Sequence, residues 1–153
     1  MSRIYTAVYE KIAVSAAQDL WEINSPADAV TRLLWFAIGQ SSDAGDSESE
    51  QLNILLHRGS TSGSGGASVT PAPTSPGDAA YGGTVEVNNT TQSTEGTILD
   101  ARCFNVMAGQ EVIYIPETAI DISPSGRLII ELQDAPADVL TMNGTACFEE
   151  IGG

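Results

Sequence analysis

Positive charge is what this sequence has least of. Lys11 is its single lysine, and six Lys plus Arg residues face 20 Asp plus Glu, for a net charge of -14. A surface so negative repels phosphate backbones and anionic lipid headgroups, so neither nucleic acid nor a membrane surface is an expected partner. Histidine is as scarce: His57 stands alone, and any Ser-His-Asp or Cys-His arrangement must pass through it. Cysteine occurs only at Cys103 and Cys147, too few for a disulfide scaffold and without the short paired spacing of a zinc site. Both fall in expected strands and read as buried thiols, with a disulfide between neighbouring strands as the open alternative. The longest strongly apolar run, 33–38, is far short of the ~20 residues that cross a bilayer as a helix. No basic stretch followed by an apolar one opens the chain, so it is expected to be made in the cytoplasm without secretion. Charged residues make up only 17% of the 153 residues. A charge-rich helical bundle is thereby disfavoured, and the polar surface must come from Ser, Thr, Asn, Gln and Gly.

The sequence does have β-branched and aromatic residues at alternating positions between closely spaced turn signals, the period-2 signature of strands. In Arg3–Val14, Ile4, Thr6 and Val8 share one face and Tyr5, Ala7 and Tyr9 the other. Leu20–Ile23 stops at Asn24-Ser25-Pro26, where proline removes a ladder donor. In Ala29–Gly39 the Leu33-Leu34-Trp35-Phe36 core is apolar on both faces, as expected of a central strand packed between layers. Further strands are expected over Gln51–Arg58, Thr97–Val106, Val112–Ile115, Arg127–Leu132 and Thr141–Ile151. In the last, Met142, Gly144, Ala146 and Phe148 line one face. About eight strands joined by Gly/Pro/Asx turns, in a chain of single-domain length, predict one antiparallel β-sandwich or jelly-roll-like domain over 1–153.

From Gly59 to Gly83 the chain turns to Gly, Ser, Thr, Ala and Pro and offers little apolar area to bury. Loops beyond ~12–15 residues without structure of their own are uncommon in compact domains. This segment is therefore expected to be a long arm, either a floppy surface loop or one ordered by a neighbouring subunit, with proline at 71, 73 and 76 favouring an extended state. Gly59, Pro71, Pro73, Pro76 and Tyr81 are its candidate partner-binding residues, and Tyr114 and Trp21 are further candidate contacts, with core packing the favoured alternative for Trp21.

Chemistry-bearing patterns are weak. His57 sits in an expected strand with no orienting carboxylate or nucleophile evident nearby, a poor position for a general base. The Gly-rich run satisfies neither the nucleophile-elbow nor the phosphate-loop pattern. Asp43, Asp46, Glu48 and Glu50 cluster in an acidic connection that offers oxygen ligands for calcium, but their spacing is not that of an EF-hand. Glu22, Glu149 and Glu150 have nothing to bring them to the ~5–9 Å separations of a glycosidase pair. No catalytic residue, resident metal or cofactor is assigned.

Certain strings are more specific. Lys11 to Leu20 (KIAVSAAQDL), Ile38 to Asp43 (IGQSSD), His57-Arg58-Gly59 opening the Gly/Ser/Pro run, and Asn88-Asn89-Thr90-Thr91 resemble a family of small structural proteins of tailed bacteriophages and prophages. Ala135 to Asp138, Leu140 to Thr145 and Phe148 to Glu150 extend the likeness over most of the chain. The resemblance implies a non-enzymatic virion component, best matched by a head decoration or cement protein. Such a protein clamps the major capsid protein from the outside of the shell and commonly forms homo-oligomers such as trimers. Two rivals follow from the same residues: a tail or fibre protein that contacts a host-surface glycan, and a metal-dependent carbohydrate-binding module using the 43–50 loop.

Overall fold

A computed structural model describes residues 2–41 and 49–152. The chain is all-β, with two antiparallel sheets. The strands are β1 (Ser2–Val14), β2 (Gln18–Asn24), β3 (Ala29–Gln40), β4 (Gln51–His57), β5 (Ala67–Val69), β6 (Ala72–Pro73), β7 (Thr84–Asn89), β8 (Ile98–Asn105), β9 (Gln110–Ile113), β10 (Ile120–Ile122), β11 (Arg127–Leu132) and β12 (Leu140–Gly152). The eight expected segments all form strands. Four more, β5, β6, β7 and β10, were not expected from the sequence.

The first sheet runs β10-β3-β12-β1-β6, with β9 beside β10 on the same edge of β3, and the second runs β5-β7-β2-β11-β4-β8. β9 and β10 are one edge strand interrupted by a short 3-10 turn at Pro116–Thr118. Tyr5, Ala7 and Tyr9 of β1, Phe36 of β3 and Phe148 of β12 point into the core, where they meet Leu20, Trp21 and Ile23 of β2 and Leu128 and Ile130 of β11. Trp21 ties the layers together: its Nε1–H donates to the Ala7 carbonyl at 3.2 Å, and its ring packs on Tyr9 with centroids 4.9 Å apart. Gly144 makes room for that packing. A Cβ there would stand 2.5 Å from both Trp21 Cη2 and Tyr9 Cζ, so the glycine inside β12 marks a close approach.

The 59–83 segment, expected as an arm, lies along the body. Ser60 N–H donates to Thr94 O at 3.1 Å, and Ser64 and Thr91 exchange two backbone bonds of 2.9 Å. β5 then pairs with β7 at the edge of the second sheet, and β6 pairs with Tyr5 and Thr6 at the edge of the first. Tyr81 closes the path, 8% exposed, its hydroxyl 2.7 Å from Thr31 Oγ1 and donating to Asn24 O at 3.0 Å. The segment is thus a strap from one sheet edge to the other. Its composition hid this because its side chains bury little, while its backbone groups find partners that composition does not reveal.

Candidate interaction surface

The two sheets present very different outer faces. That of the second buries polar groups of β2, β4 and β11 beneath the chain. Glu22 on β2 is fully buried and accepts from Ser62 Oγ at 2.7 Å and from Gly63 N–H at 2.8 Å, and Arg127 Nε lies 2.8 Å from it. Asp19 accepts from Ser93 N–H at 2.8 Å, and burial, only partly offset by that bond, holds its carboxyl above the ordinary range. His57 has no exposed surface, with Nε2 2.9 Å from Glu131 Oε2 and Nδ1 accepting from Gly96 N–H at 3.5 Å. Burial pushes the imidazole pKa down, but the Glu131 carboxylate outweighs this and leaves it raised. The orienting carboxylate that the sequence did not reveal is therefore Glu131. Both ring nitrogens are engaged beneath the chain, so the group is structural.

The outer face of the first sheet is open and sets exposed apolar side chains among polar ones. Its register sets side chains in rows across four strands. One row is Val8, Thr145, Ala37 and Glu111; the next is Thr6, Cys147, Trp35 and Ile113; a third is Ile4, Glu149, Arg32 and Asp121. Ile113 is 66% exposed, Val8 49% and Ile4 37%, with Ile115 at 57% just past the end of β9. Trp35 is half-buried among them. Cys147 is covered, and burial raises its thiol pKa against the pull of Trp35. Monomeric proteins seldom leave contiguous apolar patches on a sheet, and such patches mark interaction sites. The sequence carried the signal in Leu33-Leu34-Trp35-Phe36. β3 is central, but only its Leu33 and Phe36 face is covered by a second layer. The other face is open.

The cations of the chain are already engaged. Arg3, Lys11, Arg32, Arg102 and Arg127 are each within ion-pair distance of a carboxylate, and Arg58 donates to the Asp121 carbonyl at 3.0 Å. The surplus acidic groups have no cations of their own, so a complementary surface is basic.

The residues singled out in the sequence are placed elsewhere. Gly59, Pro71, Pro73, Pro76 and Tyr81 are spread along the strap; Pro71 and Tyr81 are buried and Pro76 is exposed. Tyr81, read as an exposed contact, is a core residue, and Trp21 takes the core position weighed as its alternative, because each ring finds aromatic neighbours and a polar partner inside. Tyr114 is half-buried and donates to Asp100 at 2.9 Å. Asp43, Asp46 and Glu48 lie outside the described residues, while Glu50 accepts from Ala137 N–H at 3.1 Å. Among the described residues no group of three His, Cys, Asp or Glu side chains is disposed to hold a metal ion. Cys103 and Cys147 are both free, on different sheets. No known protein family, curated protein or solved structure matches this chain.

Proposed function

We propose that this chain is a non-enzymatic structural protein of a phage particle, a head decoration protein that seats the open face of its first sheet on the outside of the major capsid protein shell. The observation that carries the reading is that face, where Val8, Ile113 and Ile115 are exposed and Trp35 half-buried, whereas Glu22 and His57 on the other outer face lie beneath the chain. The likeness of the Lys11–Leu20 and Asn88–Thr91 strings to small phage structural proteins supports the same placement. So does the acidity, which keeps the protein off packaged DNA and suits a basic partner. Modest contacts repeated over a lattice become strong together without a catalytic group. A closed ring of copies, such as a trimer, fits a symmetric shell.

Copy number in purified particles tests this. A shell component occurs on the order of hundreds of copies, because it repeats with the lattice. A count of about a dozen or fewer places the protein on a tail or fibre and overturns the decoration reading.

A further inference from the structure

β8 (Ile98–Asn105) ends the second sheet, and among the described residues no strand pairs with its outer side. The other edges are short or broken. β5 and β6 have three and two residues, β9 and β10 are parted by the turn that opens at Pro116, and the part of β1 that β6 leaves uncovered bulges at Lys11 with φ 53. β8 runs for eight residues without proline, and its one register shift lies near its start, where Leu99 has no residue opposite it. Ala101, Arg102 and Cys103 are exposed. A row of free backbone groups on such an edge is a template for another strand unless the chain blunts it.

The ladder fixes which groups are free. Asn53 O accepts from Gln133 N–H at 3.0 Å and Glu50 O from Val106 N–H at 3.2 Å, so the odd residues of β4 turn their backbone to β11 and the even ones to β8. Leu52, Ile54 and Leu56 pair with Phe104, Arg102 and Asp100, which directs the N–H and C=O of Ala101 and Cys103 away from the sheet. Two antiparallel copies bonded through those groups about an axis at Ala101 set Asp100 opposite Arg102 twice. These are non-hydrogen-bonded positions, where Cα atoms come to about 4.5 Å and side chains are closest. An axis at Asp100 would set that carboxylate against its own copy, and an axis at Arg102 would do the same to the guanidinium, both unfavourable. A lone edge charge repels its copy, but opposite charges at alternate positions are self-complementary. Both are held at the edge: Arg102 Nε lies 2.7 Å from Asp100 Oδ2, which also accepts from Tyr114 Oη at 2.9 Å. We propose that two copies of this chain join β8 to β8 about a two-fold axis at Ala101, which makes their second sheets one. The contact is isologous and closes at the dimer. The ladder ends at Leu99 of either copy, so Ile98 lies outside it. The inference is independent of the capsid reading, since the open face of the first sheet stays free.

Sedimentation of the full chain over a range of concentrations, up to its solubility limit, tests the proposal. Wild type should pass from monomer to dimer and no further. Asp100→Arg and Arg102→Asp each set like charges opposite one another on both sides of the axis, and each should weaken self-association at least about tenfold. Mixed, the two variants should pair with each other as tightly as wild type does with itself, because each supplies the charges the other lacks. Both exchanges within one chain should restore the homodimer. An ion pair that serves only its own chain gives no recovery on mixing. Ala101→Pro removes the outward N–H, spares the bonds to β4 and should leave a monomer. Wild type that stays monomeric at every concentration would overturn the proposal and leave the edge to a strand of a different protein. Single variants that dimerise as wild type does, a mixture no tighter than its components, or a wild-type oligomer larger than a dimer would overturn it by moving the contact off this edge.

Discussion

At the scale of single residues, buried polar atoms separate groups that hold the fold from groups that merely tolerate it. Tyr9 lies in the core against Trp21, and its hydroxyl is buried with no hydrogen-bond partner. Burial alone pushes its pKa far up. Tyr9→Phe removes an unsatisfied oxygen and keeps the ring, so it should stabilise the protein by about 1 kcal/mol in denaturant unfolding; a loss of stability would mean that the hydroxyl is satisfied. His57 is the opposite case. Its folded pKa is raised above the ordinary 6.5 by Glu131 despite burial, so its contribution is full below the unfolded pKa and is lost as pH rises through the folded one. Asp19 is also raised by burial, so its ionisation works in the same direction at lower pH. The lowered carboxyl of Asp121, held by Arg32, has the reverse sign but is half exposed and counts for little. The free energy of unfolding should therefore fall as pH rises above the ordinary imidazole range near ~6.5. His57→Gln, which retains a donor for Glu131, should flatten that slope, and an unchanged slope would show that another group sets it. Neither role was legible beforehand. The sequence shows that a single histidine exists, but Glu131 is 74 residues away and reaches it only through the β4–β11 pairing.

At the scale of elements, legibility followed the strength of the alternation. β1 and β12 carry long period-2 patterns, β3 and β11 dense apolar runs, and in all four the expected bounds fall within one residue of the observed ones. β7 was passed over because Val85 and Val87 are its only large apolar residues and it stands between a Gly-rich run and Asn88-Asn89. β5 and β6 are three and two residues long, and such pairings depend on the edges they meet more than on their own letters. The strap's behaviour follows from where its backbone is paired. Residues 61–74 are tied to Glu22, Thr91, β7 and β1, Thr74 through its N–H to the Ile4 carbonyl at 2.8 Å, and Ala79 O accepts from Tyr5 Oη at 2.9 Å, whereas 75–78 carry only a local turn bond from Asp78 N to Ser75 O. Limited proteolysis of the isolated protein should therefore cut within 75–78 and spare 61–74, since cleavage follows local opening. Early cuts between 61 and 70 would show that the strap detaches from the second sheet.

At the scale of the whole molecule, the all-β class was readable because alternation is local, but the identity of the open face was not. Period 2 shows that two faces differ without showing which of them a second layer covers. Only the doubly apolar centre of β3 hinted that the first sheet expects contact on both sides. Val8 and Ile113 project from that face, exposed enough that Val8→Glu and Ile113→Glu should each change stability by no more than about 0.5 kcal/mol. On a partner shell, however, each would bury an added carboxylate, and affinity should fall at least about tenfold for a desolvation cost of only 1–2 kcal/mol. Ile98→Glu supplies the control. It adds the same charge at a residue 51% exposed on β8, at the far edge of the second sheet. If the open face is the contact, Ile98→Glu binds shells depleted of this protein as the wild type does, while both face variants fail. Wild-type association should also slow as salt is raised, because a chain of net charge -14 approaches a basic surface under attraction that ions screen within about 10 Å at 0.1 M. Equal loss in all three variants would trace binding to net charge alone, and no loss in the face variants would move the contact off the first sheet.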